Sequence, residues 1–196
     1  ADAVVLAGSG NFFSIYFINN VSDESKTASD FAGNAYKFKF GALKIAGGLL
    51  EYWEQPYNII RVLNELLERL PNAQVSEKFR KQRMAEVRFL RAFNYFAMVK
   101  RYGGVPLITK VQSKNDPESE LRPARNKEQE VYDFIISEAN AASKDLPQVV
   151  SETDWGRPSK YAALALASRA ALYAGSIAQY GTVHLNGVVG IDNALA

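Results

Sequence analysis

Four stretches of this chain carry helical periodicity, and the first three close at a proline or glycine; that punctuation constrains the fold more than anything else in the sequence. In residues 42–70, Tyr52, Trp53, Tyr57, Ile60, Leu63, Leu67 and Leu70 recur at three- and four-residue steps, so they share one helix face. Pro56 would break a helix interior. The clean helix is therefore expected from Gln55 onward, with Pro56 in its first turn, and Pro71-Asn72 stops it. A second helix is predicted over 75–102, marked by Phe79, Phe89, Phe93, Phe96 and Val99. Arg101 in its last turn, Gly103-Gly104 at the cap and Pro106 beyond signal its end. A third spans about 127–146, with Asn126 as N-cap and Gln129 three residues on, in the pattern of a capping box. Its apolar face is Val131, Ile135, Ala139, Ala142 and Leu146, and Pro147 ends it. Ser159 then caps a fourth helix over 160–178, rich in Ala and Leu.

The segments between are polar. Residues 1–22 read as a short helix and a loop, because Gly8-Ser9-Gly10 argues against one long helix. Residues 23–40 read as a long loop, in which the alternation at Tyr36–Phe40 is compatible with a short strand. Val105–Val111 is short and extended, 112–125 is a polar linker, and Trp155-Gly156-Arg157-Pro158 lies in a second Pro/Gly loop. The expected fold class is mainly all-α: antiparallel helix pairs with long loops, stacked in the tetratricopeptide manner. Small residues repeat in both second helices, at Ala92-x-x-x-Phe96 before Gly103 and at Ala167-x-x-x-Ala171-x-Tyr173 before Gly175. One region, 1–196, would hold an N-terminal segment and loop (1–40), a first pair (42–102), a second pair (127–178) and the start of an incomplete continuation (179–196).

Composition narrows the chemistry. The chain has 196 residues, 47% hydrophobic and 22% charged, the balance of an ordinary globular protein with a real core. It holds no cysteine, which excludes disulfides, zinc thiolates and thiol catalysis within it. With a single histidine, His184, it cannot form a His-based metal cluster, and a lone His is more often structural or solvent-exposed than a ligand. Net charge +2 gives no case for nucleic acid or an anionic membrane. Eight Lys/Arg fall within 78–101 against Glu77 and Glu86, but they are spread all round the helix, as on a solvated face or one that docks a partner. No apolar run is long enough to cross a bilayer. The first residues lack a basic n-region, so no signal peptide is expected, and both ends look trimmed: the chain reads as a fragment.

The most specific signal is at 86–107. Glu86-Val87-Arg88-Phe89-Leu90-Arg91-Ala92 followed by Tyr102-Gly103-Gly104-Val105-Pro106-Leu107 resembles the hallmark helix of the SusD/RagB family, "E-x-R-F-L-R-A" and then "Y-G-x-V-P-L". Four more segments agree in the family's order: Ser22-Asp23-Glu24; Trp53-x-x-x-Tyr57-x-x-Ile60-x-x-x-Asn64; Glu130-Val131-Tyr132 through Leu146-Pro147; and Gly156-Arg157-x-Ser159 through Tyr173-Ala174-Gly175. The resemblance spans about 22–180. It implies a glycan-binding lipoprotein of the Bacteroidota cell surface, in the outer membrane, which caps a SusC-like TonB-dependent transporter; some members favour peptides. It implies no cofactor and no catalysis. Members are much longer than this chain. The lipid-bearing cysteine is absent here, as is the C-terminal half that supplies part of the ligand surface, so membrane attachment is only through an inferred anchor.

Candidate ligand residues lie in loops. Phe31, Asn34, Tyr36 and Phe38 interleave rings and amides without helical period. Sugar rings offer apolar C–H faces to aromatic planes and hydroxyls to amides, so this mixture suits an oligo- or polysaccharide. Trp155, ahead of the fourth helix, is a further candidate. By contrast Glu86, Arg88 and Arg91 read as structural, with Arg91 hydrogen-bonding loop carbonyls, since a buried guanidinium must be satisfied. Trp53 and Tyr57 read as core. Two other functions stay open. One is a peptide- or protein-binding scaffold, a common use of such helix stacks. The other is a glycoside hydrolase, which needs two facing carboxylates that Asp23, Glu24, Asp116 and Glu118 do not visibly supply.

Overall fold

The computed structural model describes residues 52–192. The chain divides by contacts into two units, Ala1–Tyr52 and Trp53–Ala196, and the helices described belong to the second. The expected helix, loop and strand within 1–40 lie outside the described residues.

Among the described residues five α-helices follow one another: α1 (Glu54–Arg69), α2 (Glu77–Tyr102), the short α3 (Glu118–Leu121), α4 (Glu128–Asp145) and α5 (Lys160–Tyr180). Among the described residues there is no strand, only isolated bridges near Leu185 and Val189. Pro56 is the third residue of α1, where its missing N–H is one the helix would leave unpaired anyway. Ser76 caps α2, its Oγ accepting from the Phe79 N–H at 3.3 Å. Ser159 caps α5 in the same way, accepting from the Ala162 N–H at 3.2 Å. At α4 the expected cap shifts by one residue. Lys127 is the N-cap, and the Glu130 carboxylate accepts its N–H at 3.1 Å. Asn126 is drawn away, accepting from the Leu107 N–H at 2.9 Å and donating to Glu130. The polar linker hides α3, a single turn behind Pro117. The fourth helix runs to Tyr180, just past its expected end at 178; Gly175 lies inside α5 in open space, and Gly181 is the cap.

Successive long helices pack in a row, α1 on α2, α2 on α4, α4 on α5. Cross-contacts give their directions. Trp53 meets Tyr102 while Asn64 meets Arg91, so α1 and α2 run antiparallel. Tyr95 meets Phe134 while Arg88 meets Glu138, so α2 and α4 do too. The Lys160 N–H donates to the Pro147 carbonyl at 2.8 Å, turning α5 back along α4. The expected two antiparallel pairs are present. Alanines allow the close approach: Ala85, Ala142 and Ala163 form a buried cluster with Leu146, and Phe89 leans on it. Residues 91–99 of α2 are almost wholly buried, which a one-faced pattern does not foresee; Phe79, expected on that face, is exposed beneath the Arg83 guanidinium.

Val105–Val111 is extended but pairs with no strand among the described residues. Its backbone is held by side chains of the helices it crosses. The Tyr57 hydroxyl donates to Pro106 O (2.9 Å), Asn64 Nδ2 to Ile108 O (2.9 Å) and Lys110 O (3.2 Å), and Arg91 to Thr109 O (3.3 Å). Tyr95 Oη accepts from the Ile108 N–H at 2.7 Å, and Glu68 accepts from the Val111 N–H at 3.0 Å. A segment without a ladder must satisfy its peptide groups in this way. Gly103 and Gly104 start the strap for steric reasons. Gly103 sits at φ +69°, and a Cβ on Gly104 would lie 1.9 Å from the Asn126 carbonyl. Residues after α5 fold back here: the Val188 carbonyl accepts from Gly104 N–H and the Gly187 carbonyl from Glu128 N–H.

Candidate functional site

Two surfaces compete for the role. The first is a groove of about 390 Å³ where the N-terminal end of α1 meets the strap and α3. Trp53 and Tyr57 form its aromatic part, with ring centroids 5.6 Å apart and planes at 61°. The α1 helix places them one turn apart, and Trp53 is braced edge-on by Tyr102 at 5.1 Å. Their expected assignment to the core is corrected: both are half-buried and line the groove, where the strap meets α1 at Tyr57 through Pro106. Burial pushes the Tyr57 phenol well above its ordinary range, and its hydroxyl is already committed to Pro106 O. The groove also takes Arg61, Lys110, Gln112 and Arg122, and no carboxylate is among the described residues that line it. Each cation has a partner beyond the lining: Glu65 at 3.3 Å, Glu120 at 2.5 Å and Glu118 at 3.2 Å.

The second is the loop at Trp155. This indole is 90% exposed. The loop that carries it is fixed: Arg157 donates to Glu86 on α2 at 2.8 Å and to Asp154 at 2.9 Å, and Gly156 adopts φ +93°. The structure does not bring Trp155 to the groove. Its anchor Glu86 and the groove's neighbour Tyr102 lie sixteen residues apart on α2, roughly 24 Å along the axis. Phe31, Asn34, Tyr36 and Phe38, the other sequence candidates, lie outside the described residues.

The charged residues of the hallmark helix are occupied structurally. Glu138, buried on α4, is gripped by two guanidinia: Arg88 at 2.8 Å on one oxygen, Arg91 at 2.5 Å on the other. Arg91 also donates to Asn64 Oδ1 at 2.8 Å. The expected loop carbonyl is present, at Thr109, but the main partner of Arg91 is this carboxylate. Glu86 accepts from Arg83 on its own helix as well as from Arg157. Lys81 pairs with Glu77, and Lys100 lies over the Phe96 ring. His184 is exposed. Among the described residues no group of three or more acids or histidines could hold a metal, and no helix is long and apolar enough to cross a membrane.

Comparison with known proteins decides the family. A family model described as "Starch-binding associating with outer membrane" matches residues 10–172, most of the chain. The chain belongs to the SusD-like family. Among SusD-like relatives, protein P38 of Formosa agariphila is 31% identical over 121 residues, covering 62% of this chain and 22% of that protein. A SusD-like protein of Bacteroides ovatus is 32% identical over 114 residues, covering 57% and 20%. The chain thus spans about a fifth of the curated relatives it matches. Of solved structures, a laminarin-binding SusD-like protein superposes with TM-score 0.74 at 28% identity, over 89% of this chain and 38% of that one. A SusD-like protein from Bacteroides fragilis gives 0.71 at 35% identity, over 80% and 31%. The helical fold read from the sequence is therefore that of part of a SusD-like protein, and the family description places such proteins in association with the outer membrane.

Sequence reasoning missed Glu138 as the partner of Arg91 and missed the groove. The Glu138 signal is present: a glutamate on the third helix beside an apolar face, opposite an arginine on the second. The groove has a weaker one, in Arg61 falling one turn after Tyr57, since Lys110 and Arg122 join it only through the course of the strap and α3.

Proposed function

We propose that the intact protein is a non-enzymatic, lipid-anchored receptor of the cell surface that binds oligo- or polysaccharide and delivers it to a SusC-like TonB-dependent transporter. The observation that carries this reading is membership of a starch-binding, outer-membrane-associated family, supported by likeness to a laminarin-binding relative. The anchoring cysteine would lie outside the present sequence. Phe31, Asn34, Tyr36, Phe38 and Trp155 are the proposed ligand contacts. Trp155 fits this role best among the described residues, since an exposed indole on a braced loop offers a stacking plane at low entropic cost. Replacing Phe38 by Ala should weaken glycan binding while leaving the melting temperature nearly unchanged; a large fall in melting temperature would assign Phe38 to packing instead.

The transporter partnership is tested by purifying the intact protein from detergent-solubilised outer membranes. A TonB-dependent transporter recovered at about equal stoichiometry supports delivery; recovery alone contradicts it. One observation favours a second reading, as a protein-binding scaffold: α5 exposes Tyr161, Leu172 and Tyr180 at steps that fall near one face. Tight binding of peptides with no glycan binding would select that alternative.

A further inference from the structure

The groove beside Trp53 carries an inference beyond glycan binding in general. Among the described residues its lining is one-sided: two rings, two amides in Asn58 and Gln112, and three cations in Arg61, Lys110 and Arg122, against no acid. At about 390 Å³ it is the size of a small-ligand site. We propose that this groove is a subsite for an anionic saccharide unit, one bearing a carboxylate or a sulfate, with its C–H face on Trp53 and its charged group between Lys110 and Arg122. The inference rests on the glycan-binding reading and specifies a ligand class for it.

Three observations support it. First, the cations are poised on held backbone. Arg61 donates to the Gln112 carbonyl at 3.1 Å, and Gln112 donates to the Glu120 and Leu121 carbonyls, which ties the strap to α3. Second, the ion pairs that occupy the cations are weak and exchangeable. The side chains of Lys110 and Glu120 are 61% and 42% exposed, those of Arg122 and Glu118 83% and 70%. Exposed pairs of this kind contribute little, so a bound anion can replace the carboxylate without a large penalty. Third, the glutamates paired with these cations are not among the described residues that line the groove, so a ligand there can approach the cations without meeting those carboxylates. An uncharged sugar would use the ring and the amides but would leave the three cations to their glutamates.

The test uses the intact protein, calorimetric titration and three probes: oligogalacturonate for carboxylates, a sulfated galactan oligosaccharide for sulfates, and laminarin oligosaccharide as the neutral control. The inference expects at least one anionic probe to bind more tightly than laminarin and to weaken as salt is raised, as screening requires. In Lys110→Gln/Arg122→Gln its Kd should rise about tenfold, the loss of two exposed charge contacts, at unchanged melting temperature. The single variants should each take part of that loss. Whichever anionic probe binds identifies the charged group. Anionic binding that is unchanged in the double variant overturns the groove as its site. Binding of laminarin alone overturns the inference and leaves the glycan reading intact, whereas failure of all three probes overturns both.

Discussion

Arg91 shows how a residue that looks catalytic serves packing. Its guanidinium is buried, so every donor needs an acceptor, and Glu138, Asn64 and Thr109 supply them. Removing one member of such a set leaves a buried charge unpaired. Arg91→Ala should therefore cost about 3–5 kcal/mol, measured by denaturant unfolding. Unchanged stability would show that the network is not needed for the fold. Trp155→Ala should stay within about 0.5 kcal/mol of the parent, since the indole is almost fully exposed, yet should weaken glycan binding if it is a contact. Glu128 supplies a pH-dependent case. Burial raises its carboxyl above the ordinary value of 4.5, while the Gly190 N–H (2.6 Å) and Arg125 pull it back down. A raised native pKa means the folded state holds the proton more tightly, so this stability is present below pH 4.5 and is lost as pH rises through the native value. Glu128→Gln keeps an acceptor for Gly190 without the desolvated charge. Its melting temperature should exceed the parent's at pH 7 and converge with it near about pH 4. A gap that does not vary with pH would contradict this. At this scale the sequence is informative about which charges are structural, because an arginine beside an apolar face must be paired. It is silent about the partner, because Glu138 comes within reach only when α2 and α4 pack.

At the scale of elements, helices announce themselves and the strap does not. Caps and stops are legible at Gly103-Gly104 and Ser159, where backbone conformation or hydrogen bonding needs a particular residue. The α4 cap falls one position from Asn126 because that side chain is claimed by Leu107 of the strap, a contact with no local signature. Gly175 falls inside the helix predicted over 160–178, where a glycine costs only about 1 kcal/mol and packing overrides it. Two glycine variants separate these cases. Gly175→Ala, in open space, should stabilise α5 by about 0.5–1 kcal/mol. Gly104→Ala, facing the Asn126 carbonyl, should destabilise by more than about 2 kcal/mol, as overpacked sites do. Thermal unfolding of the pair checks both signs; equal effects would mean that the strap does not approach as closely as described.

For the whole molecule, the helix row supplies rigid placement and the loops supply chemistry. The strap and the end of α3 bring Lys110 and Arg122 to Arg61 of α1 beside Trp53 and Tyr57, and the Arg157 bridges hold Trp155 in solvent. The family is legible because its motifs are the residues that lock helix to helix: Glu86 to the Trp155 loop, Arg88 and Arg91 to α4, Gly104 to the residues that precede α4. Ligand specificity is not, because it depends on side chains brought together from separate segments. The central claim is that the protein binds glycan without cleaving it. Native affinity electrophoresis of the intact protein through gels containing a panel of neutral and anionic polysaccharides, with reducing ends assayed in the same samples, tests it most directly. Retardation by at least one polymer with no new reducing ends is the expected result. New reducing ends, or migration unaffected by every polymer, would contradict it.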